Sequence, residues 1–173
     1  MSAGRRPDRL RVAPAVGCRT GTELVSAAMQ GRVLGVDLGE RRIGLAISDE
    51  EGRFAFPAGH LKRSGLARDL EALRELAATR GAIRIVVGLP LRLDGREGTG
   101  ARAARDFARA LGDATALPVE LVDERLTTRE AERALREAPS RTRRDRKQVI
   151  DAMAAALLLR TWLEAHSPRE ARR

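Results

Sequence analysis

The alternation of short apolar runs with helical patterns, beginning at Arg32, is the feature that most constrains how this chain folds. Two apolar runs, residues 32–38 and 43–48, are separated only by the polar residues 39–42, and this spacing predicts two antiparallel strands in a hairpin. The turn residues 49–52 lead to a third predicted strand at 54–56, which Pro57 is expected to stop. The first half of the chain therefore predicts a three-stranded antiparallel meander.

After the meander, helical and strand-like patterns follow one another. Leu66, Leu70, Leu73 and Leu76 recur at helical spacing, whereas residues 83–87 are a short β-branched run. The remaining predicted elements are a helix over 101–111, a strand over 119–122, a helix from Thr127 or Thr128 to just before Pro139, and a helix from about Lys147 to Glu164. We therefore predict an α/β fold whose five-stranded mixed sheet combines the meander with two parallel strands and is flanked by helices.

The length of 173 residues is that of one ordinary domain. We expect a single domain over residues 31–165 and a basic C-terminal tail over 166–173. Residues 1–30 mix Arg, Gly, Pro and Ser without any sustained period, so we expect a disordered basic arm there, with Met29 as the start of the functional protein.

Several classes of protein are excluded by composition. The longest apolar run, residues 152–159, is far shorter than the roughly 18 residues that cross a bilayer, so no membrane span is expected. A lone Cys18 forms no intramolecular disulfide, and with two His in the chain a Cys/His zinc site is not expected. We predict a cytoplasmic protein.

The formal net charge of +9 is concentrated in three segments. Residues 1–30 carry five bases against two acids, 139–147 carry five against one, and 160–173 carry four against two, so that +3, +4 and +2 account for the whole excess. Concentrated positive charge favours a nucleic-acid partner. The alternative is that the Arg-rich segments only keep the protein soluble, and charge alone does not decide between the two.

Three places in the sequence put carboxylates beside buried positions. Asp37 ends the first strand between apolar neighbours and glycines, and it fits either a turn cap or a metal or phosphate site. Asp123 and Glu124 follow the last strand, where alternation allows only one of them to join Asp37. Asp151 is the sole polar side chain between Val149 and Leu159, so either a bound cation or an arginine from the preceding basic stretch must compensate its charge.

Taken together, these acids form a candidate site for divalent cations, which bind oxygen ligands. Mg²⁺, or Mn²⁺ in its place, is the expected cofactor. Two such ions, roughly 3.5 to 4 Å apart, would activate a water and stabilise the leaving oxygen of a phosphodiester. Hydrolysis of nucleic acid is the predicted chemistry.

Four ordered blocks of residues resemble the YqgF/RuvX family. They are Gly35-Val-Asp-Leu-Gly39 with 42–49, Gly88-Leu-Pro90 with Asp94-Gly95, 123–127 with Glu130-Ala131, and Lys147 with Asp151-Ala152 and Ala154-Ala155. The resemblance covers residues 32–163. It implies a ribonuclease H-like fold and an enzyme that processes the 5′ end of pre-16S ribosomal RNA in ribosome biogenesis.

By this resemblance Asp37, Glu124 and Asp151 match the acidic catalytic and metal-binding positions of the family. The choice of Glu124 over Asp123 rests on the resemblance and not on alternation, and whether Asp123 assists Glu124 stays open. Two residues depart from the family pattern: Arg92 stands where relatives often have Asn, and Gln148 stands where they often have Gly.

Three other functions compete with rRNA processing. The family was earlier proposed to resolve Holliday junctions, and a resolvase is expected to act as a homodimer, so monomer and homodimer both remain open. A ribosome-assembly factor that binds RNA without cutting it would not need all three acids. An actin-like ATPase would need a second Asp-x-Gly turn, and that tripeptide occurs only at Asp37.

Basic residues near the acids are the predicted contacts to pre-rRNA or branched DNA. The stretch 141–147 follows Pro139 and Ser140 and precedes the helix that carries Asp151, so we expect a mobile loop that brings positive charge to the scissile strand. The predicted nucleic-acid-binding residues are Arg42, Arg92, Arg125, Arg141, Arg143, Arg144, Arg146 and Lys147.

Overall fold

The computed structural model describes residues 10–12, 31–92, 94–126 and 143–166. The strands are β1 (Leu10–Val12), β2 (Arg32–Leu38), β3 (Arg42–Ser48), β4 (Ala55–Lys62), β5 (Ala82–Leu89) and β6 (Val119–Asp123). The helices are α1 (Leu66–Thr79), α2 (Thr99–Thr115) and α3 (Arg143–His166), and a 3-10 turn spans Glu124–Leu126. The helix predicted between Thr127 and Pro139 lies outside the described residues.

The strands form one mixed sheet in the order β1-β6-β5-β2-β3-β4. β2, β3 and β4 pair antiparallel, and β5 and β6 continue the sheet parallel to β2. The meander and the two parallel strands are therefore confirmed. Because β2, β5 and β6 all run the same way, their carboxyl ends meet at one edge of the sheet, and this edge positions the acids described below.

A sixth strand lies at the β6 edge of the sheet. Leu10–Val12 pairs parallel with β6, with Leu10 opposite Val119 and Val12 opposite Leu121. For these three residues the expectation of a disordered arm is wrong. The unpaired amides and carbonyls of an exposed edge strand offer any nearby segment a full set of hydrogen bonds, and three residues of the arm use them.

Pro57 does not end the third strand of the meander, as the sequence had predicted. β4 runs from Ala55 through Pro57 to Lys62 and pairs with β3 along its whole length. β4 is the outer strand of the sheet, where a residue without an amide hydrogen is tolerated. The register also shifts between Leu45 and Ala46, opposite this part of β4, so a bulge accommodates the proline.

Alternating side chains of the sheet form two hydrophobic cores. Leu34 and Val36 of β2 belong to the core that contains α1 and α2, and Val33 of the same strand belongs to the core that contains α3. Leu159 and Trp162 of α3 are almost fully buried in the second core. The sheet is therefore covered on both faces, as predicted.

Helix α3 begins at Arg143 and not near Lys147. The expectation of a mobile loop is therefore wrong for residues 143–147, which form the first turns of the helix. Arg and Lys are strong helix formers, and the stretch contains neither Gly nor Pro. Arg141 lies outside the described residues. Among the described helices, none is both long and apolar enough to cross a membrane.

Glu120 of β6 is a buried acid with a full set of partners on the α3 side of the sheet. Its Oε1 atom contacts Nη1 of Arg84, and its Oε2 atom accepts a hydrogen bond of 2.9 Å from Nε1 of Trp162. The ring of His166 stacks on Trp162, with centroids 4.1 Å apart. We call these four residues the Glu120 cluster. Its buried charge is compensated, as a folded core requires.

Candidate active site

Asp37 lies near the carboxyl end of β2, one residue before the strand ends at Leu38. It pairs with Gly44 of β3, and among the described residues nothing donates a hydrogen bond to its carboxylate. Burial, and then the negative charge of Asp151, raise the pKa of Asp37 from 3.8 to about 6. The environment therefore disfavours the ionised form of this carboxylate unless positive charge is added.

Two glycines beside Asp37 leave room for the other acids. Gly44 lies opposite Asp37, and a Cβ atom there would collide with the backbone carbonyl oxygen of Asp151. Gly88 of β5 follows Val87, the partner of Val36, and a Cβ atom there would collide with Oε1 of Glu124. Both glycines are inside strands, where a missing side chain permits close approach of another group. The two gaps allow Glu124 and Asp151 to approach Asp37 from opposite sides.

Glu124 begins the 3-10 turn that follows β6. Burial, and then the negative charges of Asp37 and Asp123, together raise its pKa from 4.5 to about 7. The structure therefore places Glu124, and not Asp123, in electrostatic contact with Asp37, and the resemblance to the family names the same residue. Alternation alone could not make this choice.

Asp123 is held by the neighbouring Arg125. Nη2 of Arg125 lies 2.6 Å from Oδ2 of Asp123, and the Arg125 backbone amide donates to Oδ1 at 3.0 Å. Burial alone would raise the pKa of Asp123, but the hydrogen bonds and charge of Arg125 outweigh it and lower the pKa. The Asp123 carboxylate is thus paired with Arg125. Its negative charge still contributes to the raised pKa of Glu124.

Asp151 lies on α3 above Gly44, and its compensating charge comes from Arg42 at the start of β3. Nε of Arg42 is 2.7 Å from Oδ2 of Asp151, and the two side chains are 21% and 25% exposed. The sequence left open whether a cation or an arginine compensates Asp151, and it named the preceding basic stretch as the source of the arginine. Among the described side chains, the arginine that contacts Asp151 comes from β3, which is far from Asp151 in the sequence.

The donor chemistry of these three acids fits a divalent cation. Asp37 interacts electrostatically with both Asp151 and Glu124, and buried carboxylates with raised pKa values favour an added positive charge. Within the described part of the chain, however, no three carboxylate, imidazole or thiol groups converge as a ready metal cage. In this structure the carboxylate of Asp151 is paired with Arg42.

The predicted nucleic-acid-binding residues lie in three different settings. Arg42 and Arg125 pair with Asp151 and Asp123 and lie at the same end of the sheet as the acids. Arg92 is exposed just beyond β5, and its backbone closes a turn with Gly95 and Arg96. Residues 143–147 start α3, and their side chains, like Arg141, lie outside the described residues.

Gly44, Gly88 and the ion pair of Arg42 with Asp151 are the parts of the site that sequence reasoning did not assign. The glycines carry a readable signal, since an isolated glycine inside an apolar strand marks a close approach of backbone or ligand. The ion pair carries none, because it joins residues that are distant in the chain.

Comparison with known proteins places the chain in a family. The family model described as "RuvX: Holliday junction resolvase" matches residues 31–165. A protein of Anaeromyxobacter dehalogenans named "Putative pre-16S rRNA nuclease" is 50% identical over 137 residues, which cover 79% of this chain and 99% of that protein. A protein of Syntrophomonas wolfei with the same name is 44% identical over 136 residues, covering 79% of this chain and 96% of that protein.

Among solved structures, RuvC of T. thermophilus in complex with a Holliday junction substrate matches with a TM-score of 0.54 at 15% identity. The match covers 79% of this chain and 97% of RuvC. At this identity the likeness concerns the fold, and it confirms the predicted ribonuclease H-like architecture. On the match of its family model and its identity to these relatives, the chain belongs to the RuvX family.

Proposed function

We propose that this protein is a metal-dependent endonuclease that cuts structured nucleic acid with Asp37, Glu124 and Asp151. The family and the names of its relatives support a nuclease. One structural observation carries the choice of residues: acids from β2, from the turn after β6 and from α3 meet at one end of the sheet, and two of them have raised pKa values. Perturbed carboxylates gathered from distant parts of a chain are typical of a catalytic site.

The proposed cofactor is Mg²⁺, with Mn²⁺ as a substitute. When bound, it would supply a polarised water as nucleophile and positive charge for the leaving oxygen. Asp37, Glu124 and Asp151 would hold it with carboxylate oxygens. With pKa values of about 6 and 7, Asp37 and Glu124 carry protons for part of the time near neutral pH, so metal binding is expected to release protons.

The proposed substrate is the 5′ end of pre-16S ribosomal RNA. Relatives that match this chain over almost their whole length are named as nucleases of pre-16S rRNA. The alternative is a four-way DNA junction, which the family description and the substrate of T. thermophilus RuvC favour. A cytoplasmic location is consistent with either and is supported by the single cysteine.

A direct comparison of the two substrates tests this proposal. The full chain is incubated with Mg²⁺ and either a 5′-extended 16S RNA transcript bound to ribosomal proteins or a four-way DNA junction at equal concentration. We expect cleavage of the RNA at a defined position and little cleavage of the junction. Preferential symmetric cutting of the junction, with a dimeric mass in solution, would establish the alternative. Binding of RNA without any cleavage would favour a non-cleaving assembly factor.

Nucleic-acid binding itself is supported by the position of the basic residues. Residues 139–147 hold five bases against one acid and include the first turns of the helix that carries Asp151, while Arg92 is exposed at the same end of the sheet. Each phosphate contact should contribute roughly 0.7 to 0.9 to the slope of log affinity against log salt. Replacing Arg141, Arg143 and Arg144 by Ala should therefore flatten that slope. An unchanged slope would exclude this stretch from the binding surface.

A further inference from the structure

The contact between Arg42 and Asp151 is close, yet it is not a well-formed hydrogen bond. Nε of Arg42 lies 2.7 Å from Oδ2 of Asp151. The same Oδ2 atom is fully buried, and no hydrogen bond with acceptable geometry reaches it among the described residues. Buried charges are normally both paired and hydrogen-bonded. The guanidinium therefore supplies charge to Asp151 without saturating its oxygen.

Other acids of the protein are held more completely. Asp69 is fully buried and accepts hydrogen bonds from the Ser64 amide at 2.8 Å and from Nε of Arg63 at 3.3 Å. Asp123 receives several directed bonds from Arg125. The pair of Arg42 with Asp151 lacks that geometry, although it lies at the candidate metal site. An ion pair without directed hydrogen bonds at this position is suited to replacement of the arginine by a cation.

We propose that Arg42 is an exchangeable counter-ion that holds Asp151 in the metal-free protein and gives it up to the metal. This inference rests on the proposed function, because it requires Asp151 to be a metal ligand. In the metal-free state that the proposal describes, the carboxylate of Asp151 contacts Arg42 in place of a cation. Arg42 is a positioning residue in this role.

The position of Arg42 makes the exchange feasible. It begins β3 at the edge of the sheet where the acids meet, and its side chain is 21% exposed, so a path to solvent is open. A divalent cation brings twice the charge of a guanidinium to the same carboxylates. Once released, the planar guanidinium is suited to meet a phosphate, which is the contact that the sequence predicted for Arg42.

Metal binding in the absence of nucleic acid tests the exchange. The dissociation constant for Mn²⁺ is measured by titration calorimetry on the full chain and on Arg42→Gln, Arg41→Gln and Asp151→Asn. Arg41 is the matched control, because it is the exposed neighbour and loses the same charge. We expect Arg42→Gln to bind Mn²⁺ about five- to tenfold more tightly than Arg41→Gln, since a half-buried ion pair no longer competes. Asp151→Asn should bind weakly.

A thermal measurement covers the case in which Arg42→Gln is less stable. Without metal, this variant leaves Asp151 without its counter-ion and should melt below the wild type, whereas Mn²⁺ should raise its melting temperature by more than it raises that of the wild type. If Arg42→Gln binds Mn²⁺ no more tightly than Arg41→Gln while Asp151→Asn binds it weakly, the exchange is wrong but the proposed metal site stands. Absence of Mn²⁺ binding in every protein, the wild type included, overturns the proposed metal site and the exchange with it.

Discussion

Two acids near the two ends of β6 show opposite uses of a buried carboxylate. Glu120, within the strand, is met by Arg84 and Trp162, and its charge is neutralised inside the core. Glu124, just beyond the strand, lies near Asp37 and Asp123, and its pKa is raised to about 7 by burial and by these charges. The Glu120 cluster joins β6 to β5 and α3. Around Asp37, by contrast, neighbouring carboxylates raise one another's pKa values.

We therefore expect Glu120 to contribute mainly to stability and the acids around Asp37 to contribute mainly to activity. Removing a neutralised buried acid leaves its partners uncompensated and destabilises the fold. Removing Asp37 should relieve its repulsion with the neighbouring carboxylates and, under the proposed function, remove a metal ligand. A mutation at Glu120 should therefore lower stability and leave activity unchanged, whereas a mutation at Asp37 should raise stability and abolish activity.

The largest expected effect is on cleavage. Asp37→Asn, Glu124→Gln and Asp151→Asn should each lower the single-turnover rate on the preferred substrate on the order of 10³-fold or more, because metal-assisted hydrolysis fails without its ligands. EDTA should have the same effect on the wild type. A variant that cuts at the normal rate would remove its residue from the site, and cleavage that resists EDTA would reject the metal mechanism.

At the Glu120 cluster we expect a loss of stability without a loss of cleavage. Glu120→Gln removes the charge that faces Arg84 and should lower the free energy of unfolding by about 2 kcal/mol, measured by urea denaturation. Cleavage per folded molecule should not change. Glu164→Gln is the control, since Glu164 forms an exposed pair with Arg160 at 3.5 Å and its loss should be nearly neutral. Equal effects of the two substitutions would show that the Glu120 cluster does not stabilise the fold.

The pH dependence of stability sharpens the contrast. Asp37 and Glu124 have higher pKa values in the fold, about 6 and about 7, than their ordinary 3.8 and 4.5, so the native state binds protons more tightly than the unfolded chain. Their contribution favours the fold below about pH 4 and is lost as pH rises through 6 and 7. In EDTA, Asp37→Asn should be more stable than the wild type at pH 8, on the order of 1 to 3 kcal/mol, and the difference should shrink at pH 5. Denaturant titrations of both proteins at the two pH values measure this, and a difference that grows at pH 5 would contradict it.

The smallest effect is expected at the β6 edge. A chain that starts at Met29 loses β1, which pairs with β6 over only three residues. We expect normal cleavage and a loss of no more than about 1 kcal/mol, because a few edge hydrogen bonds are offset by the entropy of ordering the arm. A loss of several kcal/mol would show that the arm packs on the domain beyond these three residues.

The sequence predicts most of the sheet because its physical signals are local. The apolar runs of β2, β3, β5 and β6 follow the period of strands, and their order along the chain restricts the topology. β4 is longer than predicted because the effect of Pro57 depends on the strand's place at the edge, which is a tertiary property. β1 carries no local signal, since three residues of an Arg-rich arm resemble any loop.

For the candidate site, the sequence identifies the acids and not their partners. Asp37 and Asp151 stand out because each interrupts an apolar pattern. Choosing Glu124 over Asp123 needed either the family or the structure, because local alternation permits both. The contact of Arg42 with Asp151 joins β3 to α3 and depends on how the helix crosses the sheet, which no local pattern encodes.

Under the proposed function, Asp37, Glu124 and Asp151 together bind a catalytic metal. Crystals grown with Mn²⁺, at concentrations that support cleavage in solution, would show the position of this metal by anomalous scattering. We predict an anomalous peak at coordination distance, about 2 to 2.5 Å, from carboxylate oxygens of Asp37 and at least one of the other two acids. If the same preparation cuts with Mn²⁺ but the anomalous peak lies elsewhere, or no peak lies at these carboxylates, the three acids do not form the catalytic metal site.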